Sequence, residues 1–233
     1  MAEGYALVTG ASRGIGRATA YELAKAGMNL YITCSNTGDE LHKIATDLSE
    51  KYGIMCIPFI GDMGNYKDVE RLDVLVNNAG ISYIGLLSDL SVEDWQRLMD
   101  VNLNAAFYTS RLAIPMMLHK HSGRIINISS VWGSVGASME VAYSTSKGGL
   151  NAFTKALSKE LAPSGIQVNA VACGVIDTDM NKCFSEDERE ALIGEIPADR
   201  MGQPEEIAQT VLQLINAPSY LTGQIITVDG GWI

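Results

Sequence analysis

The chain is short of cysteine, of aromatic residues and of basic charge, and each shortage closes off a class of function. Its four cysteines, Cys34, Cys56, Cys173 and Cys183, form no C-x-x-C pair and no regular spacing. That argues against a structural zinc site or a disulfide framework and fits a reducing compartment. Lysine and arginine number 17 against 27 aspartates and glutamates, a formal net charge of −10 with a pI near 4.7. A basic nucleic-acid-binding face is therefore not expected. No apolar run approaches the roughly 20 residues a membrane helix requires. The reading also has no secretory leader, because only Met1 to Gly4 precede the first strand-like run. The expectation is a soluble, cytoplasmic protein.

What is present is a single rhythm. Hydrophobic residues make up 47% of the 233 positions, enough for one well-packed domain. Strand-like runs near Tyr5–Thr9, Met28–Thr33, Met55–Ile60, Leu72–Asn77, Arg124–Ile128, Gln167–Ala172 and Gln224–Val228 alternate with amphipathic helical ones. Such alternation predicts a parallel sheet of about seven strands with helices on both faces. No repeat, low-complexity tract or linker divides the chain, so residues 1–233 are read as one domain.

The first strand runs into Thr9-Gly10-Ala11-Ser12-Arg13-Gly14-Ile15-Gly16, and a helix follows. Glycines permit a tight turn and a close backbone approach, and the helix start offers free N–H groups to a phosphate. At this first strand-to-helix turn the motif reads as a dinucleotide cradle, and the fold as Rossmann-type and doubly wound. An NAD site usually has an acid at the end of the second strand for the ribose hydroxyls. Here stand Cys34-Ser35-Asn36-Thr37 instead, and Arg13 is placed to meet a 2′-phosphate. NADP(H) is the expected cofactor, with Ser35 and Asn36 beside it.

The chemistry is expected between Ser130 and Lys147. Ser130 ends an apolar strand, and thirteen residues later Tyr143-Ser144-Thr145-Ser146-Lys147 places a phenol and an ammonium on one helical face. A neighbouring ammonium favours the phenolate and lowers its pKa, which suits general acid-base work. A second Tyr-x-x-x-Lys, Tyr21 to Lys25, has no serine-bearing strand end before it and reads as helix surface. The fourth strand ends in Asn77-Asn78-Ala79-Gly80, a turn that sets small polar groups beside the dinucleotide. A long helix is expected from Ser91 toward His119, with Asp94 in a capping role. It contains both Asn102 and Asn104, and spacing does not choose between them. Only Gly61 to Arg71 separate the third strand from the fourth, short for a parallel crossover. That points to residues missing between Glu70 and Arg71.

Together the glycine turn, Asn77-Asn78-Ala79-Gly80, Asn102, Ser130, Tyr143 with Lys147, and the tail Thr222-Gly223-Gln224 through Val228-Asp229-Gly230-Gly231 resemble the classical short-chain dehydrogenase/reductase family. The resemblance spans essentially the whole chain and is closest to the 3-oxoacyl-(acyl-carrier-protein) reductase branch. It implies that Tyr143 protonates the carbonyl oxygen while Ser130 polarises it. It further implies that Lys147 lowers the Tyr143 pKa and binds the nicotinamide ribose, and that Asn102, not Asn104, positions a relay water. For the cofactor it implies contacts from Asp62 at the adenine end, from Asn78, Ala79 and Gly80 along the middle, and from Ile176 and Thr178 at the nicotinamide.

The implied activity is NADPH-dependent reduction of a 3-oxoacyl thioester in fatty acid biosynthesis by a homotetramer. The alternatives are another ketone or secondary alcohol, such as a sugar, polyol or steroid, or a non-catalytic NADP(H) sensor. The chain departs from the family at Cys173-Gly174, where Pro-Gly is usual; a small thiol fills that space near the nicotinamide. The segment Asp177–Met201 is expected to form a lid over the substrate. Met180, Phe184, Leu192, Ile193 and Ile196, with Trp132, Val135 and Met139, either suit an acyl chain or serve as core and subunit contact. Gln203-Pro204-Glu205-Glu206 reads as a helix start. His119-Lys120-His121 is the one local basic cluster for an acidic carrier protein. By the resemblance, Trp232-Ile233 packs on a neighbouring subunit.

Overall fold

The computed structural model describes residues 4–61, 69, 71–182 and 184–233. Seven parallel strands form one sheet: β1 (Tyr5–Val8), β2 (Asn29–Cys34), β3 (Cys56–Ile60), β4 (Val74–Asn77), β5 (Gly123–Ser130), β6 (Ile166–Cys173) and β7 (Ile225–Val228), in the order β3-β2-β1-β4-β5-β6-β7. All seven expected strands are present. The helices are α1 (Gly14–Lys25), α2 (Gly38–Tyr52), α3 (Val92–Met99), α4 (Ala105–Lys120), α5 (Trp132–Val135), α6 (Val141–Leu161), α7 (Glu186–Glu195) and α8 (Pro204–Ile215). The β3–β4 crossover, with Asp62 and the suspected gap after Glu70, lies outside the described residues.

Alternation along the strands builds two cores. Ile126 and Ile128 of β5 pack with Leu23 of α1, Leu41 of α2 and Val211 of α8 on one face. Ile125, one residue over, packs with Met117 of α4 and Leu157 and Leu161 of α6 on the other. β6 is buried along its whole length and β5 along nearly all of it, as expected of a parallel sheet covered on both sides. Chain order reverses between β1 and β4, and the strand ends beside that reversal leave a crevice where ligands of open α/β sheets bind.

The long helix expected from Ser91 is interrupted. Ser91 caps α3 by accepting from the Asp94 N–H at 3.0 Å, as its spacing predicted. Asp100–Asn104 then form one wide π turn, closed by the Ala105 N–H on the Asp100 carbonyl, before α4 begins. Such insertions are frequent at functional positions, and this one contains Asn102. Gln203-Pro204 does open a helix: Pro204 is the first residue of α8, and the Glu206 carboxylate accepts from the Gln203 N–H at 2.7 Å.

Candidate active site

A cleft of about 1280 Å³ runs along the strand ends from the glycine turn to Ser130, Tyr143 and Lys147. Its dinucleotide end is shaped by three glycines. Gly10 and Gly14 have φ of 65° and 53°, in the left-handed region that glycine adopts without strain. A Cβ on Gly16 would lie 2.3 Å from the Gly10 oxygen and 2.4 Å from Asn78 Nδ2, so this third glycine allows α1 to seat against the turn. Thr9 Oγ1 accepts from the N–H groups of Asn78 and Ala79, at 2.9 and 3.0 Å. Asn78 Nδ2 donates to the Thr9 and Gly10 carbonyls, at 2.9 and 3.2 Å. Asn78 therefore braces the glycine turn as well as lining the cleft.

Ser12, Arg13, Ile15, Ala79, Gly80, Ile176 and Thr178 also line the cleft. Gly16 lies behind the lining, and Asp62 lies outside the described residues. At the end of β2, Ser35 and Asn36 are exposed on the cleft and joined by a 3.2 Å side-chain bond, and Cys34 to Thr37 contain no carboxylate. Arg13 is solvent-exposed, 4.0 Å from Asp179 across the cleft. This backbone-lined cradle, backed by a position only glycine fits, suits a dinucleotide.

At the other end, Ser130 is the last residue of β5, and its hydroxyl accepts from the Trp132 N–H at 3.2 Å. Tyr143 and Lys147 face it from the first turns of α6, the Lys147 Nζ 5.7 Å from the Tyr143 ring centroid. Gly80 closes the group: a Cβ there would stand 3.5 Å from both Asn102 Oδ1 and Lys147 Nζ. Asn102 is buried, accepting from the Ile81 N–H at 2.8 Å and donating to the Ile81 carbonyl at 2.9 Å and to Ser146 Oγ at 3.1 Å. Asn104 instead bonds Asp100 on its own turn. The structure thus gathers Asn102, not Asn104, with Ser130, Tyr143 and Lys147. With both side-chain N–H groups of Asn102 engaged, its side chain has only a lone pair of Oδ1 to offer a relay water.

The electrostatics differ from expectation. The Tyr143 phenol is pushed up, not down. Burial is the largest cause, the nearby Cys173 and Glu140 add to it, and the Ser130 hydroxyl pulls the other way. Lys147 is buried too, and desolvation lowers it to about 8. With both groups desolvated, the phenol is not depressed as their spacing implies. Cys173, opposite Ser130 in register, is buried beside them, and burial pushes its thiol to about 12.

Behind the site runs a polar chain that sequence reading missed. Asn77 and Asn127 are paired in register on β4 and β5 and joined at 2.8 Å. Thr109 of α4 donates to Asn77 at 2.6 Å, and Asn127 donates to Thr154 of α6 at 2.8 Å. All four are buried. The signal available was an asparagine inside the apolar run Ile125-Ile126-Asn127-Ile128. Ser146, partner of Asn102, and Glu140, on the cleft wall, were also passed over.

The apolar residues expected near the substrate are divided. Met180, Phe184, Leu192 and Trp132 line the cleft, whereas Ile196 is buried against Gly230 and Val135 and Met139 point to solvent. Trp232 packs within its own chain, edge-on to Trp132 with centroids 4.9 Å apart. The basic cluster at His119-Lys120-His121 sits where α4 ends, beside the amino ends of the central strands β4 and β5, whereas the cleft lies at their carboxyl ends. Lys120 there is held by Asp73 at 2.7 Å, so this cluster is no docking patch beside the site. Among the described residues no group of acids, histidines and cysteines is arranged to hold a metal, and no helix is long and apolar enough to cross a membrane.

Comparison with known proteins agrees with this geometry. The chain is 41% identical to the 3-oxoacyl-(acyl-carrier-protein) reductase FabG of Aquifex aeolicus, over 97% of this chain and 95% of the relative. It is 39% identical to YmfI, an uncharacterized oxidoreductase of Bacillus subtilis, over 97% and 98%. A candidate NAD(P)-dependent gluconate 5-dehydrogenase of Beutenbergia cavernae, solved with NADP bound at low occupancy, superposes with a TM-score of 0.93 at 33% identity, covering 100% of this chain and 97% of that one. The profile of the short chain dehydrogenases matches residues 4–189, and with the glycine cradle, the seven-stranded sheet and the serine-tyrosine-lysine cluster already in place, the chain belongs to that family of oxidoreductases.

Proposed function

We propose that the protein reduces 3-oxoacyl thioesters, carried by an acyl-carrier protein, to 3-hydroxyacyl thioesters with NADPH, in the cytoplasm, as a step of fatty acid biosynthesis. The observation that carries this reading is the meeting of Ser130, Tyr143 and Lys147 on the floor of the cleft that begins at the glycine turn. Gly10, Ser12, Gly14 and Ile15 would hold the pyrophosphate, Arg13, Ser35 and Asn36 a 2′-phosphate, and Ile176 and Thr178 the nicotinamide end. When bound, the dinucleotide supplies the hydride.

The chain's residues orient the ketone and deliver the proton. Ser130 Oγ holds the ketone oxygen. The Tyr143 phenol is protonated at neutral pH and donates to that oxygen as the hydroxyl forms. Lys147 binds the cofactor ribose and supplies positive charge beneath Tyr143. Asn102 braces the loop after β4 against α6. Met180, Phe184 and Leu192 give the acyl chain an apolar wall. The exposed Phe107, Tyr108 and Leu112 of α4 offer surface for a homotetramer to cover.

Similarity to a gluconate 5-dehydrogenase supports a second reading, a sugar acid as substrate. The test mixes purified protein with NADPH and acetoacetyl-CoA and follows loss of reduced-nicotinamide absorbance, with NADH and Tyr143→Phe in parallel. Turnover that prefers NADPH and collapses in the variant is expected. Absence of thioester turnover, with NADPH still bound, would transfer the assignment to another ketone.

A further inference from the structure

Glu140 immediately precedes α6, three residues before Tyr143, and its half-buried side chain lines the cleft. Its charge is felt at the reacting phenol, where it is one cause of the upward shift of Tyr143. Beside it stands Trp132, backed by Trp232. Several other charges on the cleft have partners. Asp179 pairs with Lys182 and Arg13. Lys147 donates to the Ile128 carbonyl. Arg97 and Asp100 are exposed on the rim, Arg97 near the end of α3 and Asp100 at the start of the π turn, where its carboxylate accepts from Asn104. Among the described residues no cation lies within ion-pair distance of Glu140.

We infer that Glu140 is a charge filter at the substrate end: it admits ketones that are neutral near the carbonyl and repels those carrying a carboxylate there. The inference rests on the thioester-reductase reading and narrows it. In a free 3-oxo acid the carboxylate is two carbons from the ketone, so a ketone held by Ser130 and Tyr143 brings that charge toward Glu140. In a thioester the same carbon is neutral. The filter thus separates a carrier-bound acyl group from the free acid and from ketones with a nearby acid group.

The test compares kcat/KM for acetoacetyl-N-acetylcysteamine, a neutral thioester, with that for acetoacetate, both with NADPH. Glu140→Gln keeps the size and polarity of the side chain and removes its charge. The neutral-to-anionic ratio is expected to fall about tenfold in this variant, the scale of one charge pair a few ångströms apart in a partly solvated site. Glu140→Ala, at a position with no side-chain capping bond to lose, gives the same readout should the glutamine variant fold poorly. A ratio unchanged in a folded variant, with the thioester still reduced, overturns the filter alone. Failure of the wild-type protein to reduce the thioester overturns the reading on which it rests.

Discussion

The Lys147 ammonium donates to the Ile128 carbonyl at 2.8 Å, fixing a buried charge at the base of the cleft. Burial lowers this lysine to about 8. Below that pH the ammonium is charged in both folded and unfolded chains, and folding carries the cost of desolvating it. Above about 8 the folded chain releases the proton, while the unfolded chain keeps it up to the ordinary lysine value near 10.4. The cost is relieved across that window, so the contribution of Lys147 to stability rises with pH. Denaturant titrations from pH 7 to 10 are expected to show this rise in the wild type relative to Lys147→Met, on the order of 2 kcal/mol.

Tyr143→Phe removes one hydroxyl from a ring that otherwise stays in place. Turnover is expected to fall by about 10²–10⁴, the range for loss of a general acid. NADPH affinity, measured by fluorescence titration, is expected to change little, which separates loss of chemistry from loss of binding.

Gly16→Ala forces a Cβ to within 2.3 Å of the Gly10 oxygen, against backbone that has no rotamer to yield. A loss of about 1–3 kcal/mol in denaturant unfolding is expected, the usual range for overpacking. Isothermal titration is expected to show NADPH affinity weakened in parallel, because the same displacement opens the cradle.

Asn127→Leu removes the centre of the buried polar chain, leaving Asn77 Nδ2 only its long bond to Ser110, with one N–H unsatisfied, and Thr154 Oγ1 only its bond to the Leu150 carbonyl. Each unsatisfied buried group costs about 1–3 kcal/mol, so chemical unfolding of this variant should show one of the larger losses of any single substitution in the sheet. Retained wild-type stability would mean that these bonds carry no net weight.

The structure explains which parts of this molecule could be read from its sequence. The strands were legible because a sheet buried on both faces needs short continuous apolar runs bounded by turn residues. The glycine turn and the Tyr143–Lys147 pair were legible because each is local, set by a few dihedrals or by helical spacing. The Asn77–Asn127 contact was not, since its partners are 50 residues apart and meet only through the register of β4 on β5. The π turn at Asp100–Asn104 was also hidden, because local spacing fits an unbroken helix equally well. The direction of the Tyr143 shift failed for a related reason: spacing gives proximity to Lys147 but not the burial that outweighs it. The placement of His119-Lys120-His121 was not legible either, because only the direction of α4 sets it at the amino ends of the strands, away from the cleft.

Trp132 and Trp232 meet edge-on, and Trp95 is the third and last tryptophan of the chain. Two of the three indoles are thus coupled at the wall of the cleft, one beside Ser130 and the other next to the last residue. The protein carries its own optical reporter. Bulk protein emission, with no label attached, is weighted toward the substrate wall, and a molecule that parts or screens the indole pair registers as a change in intensity and wavelength.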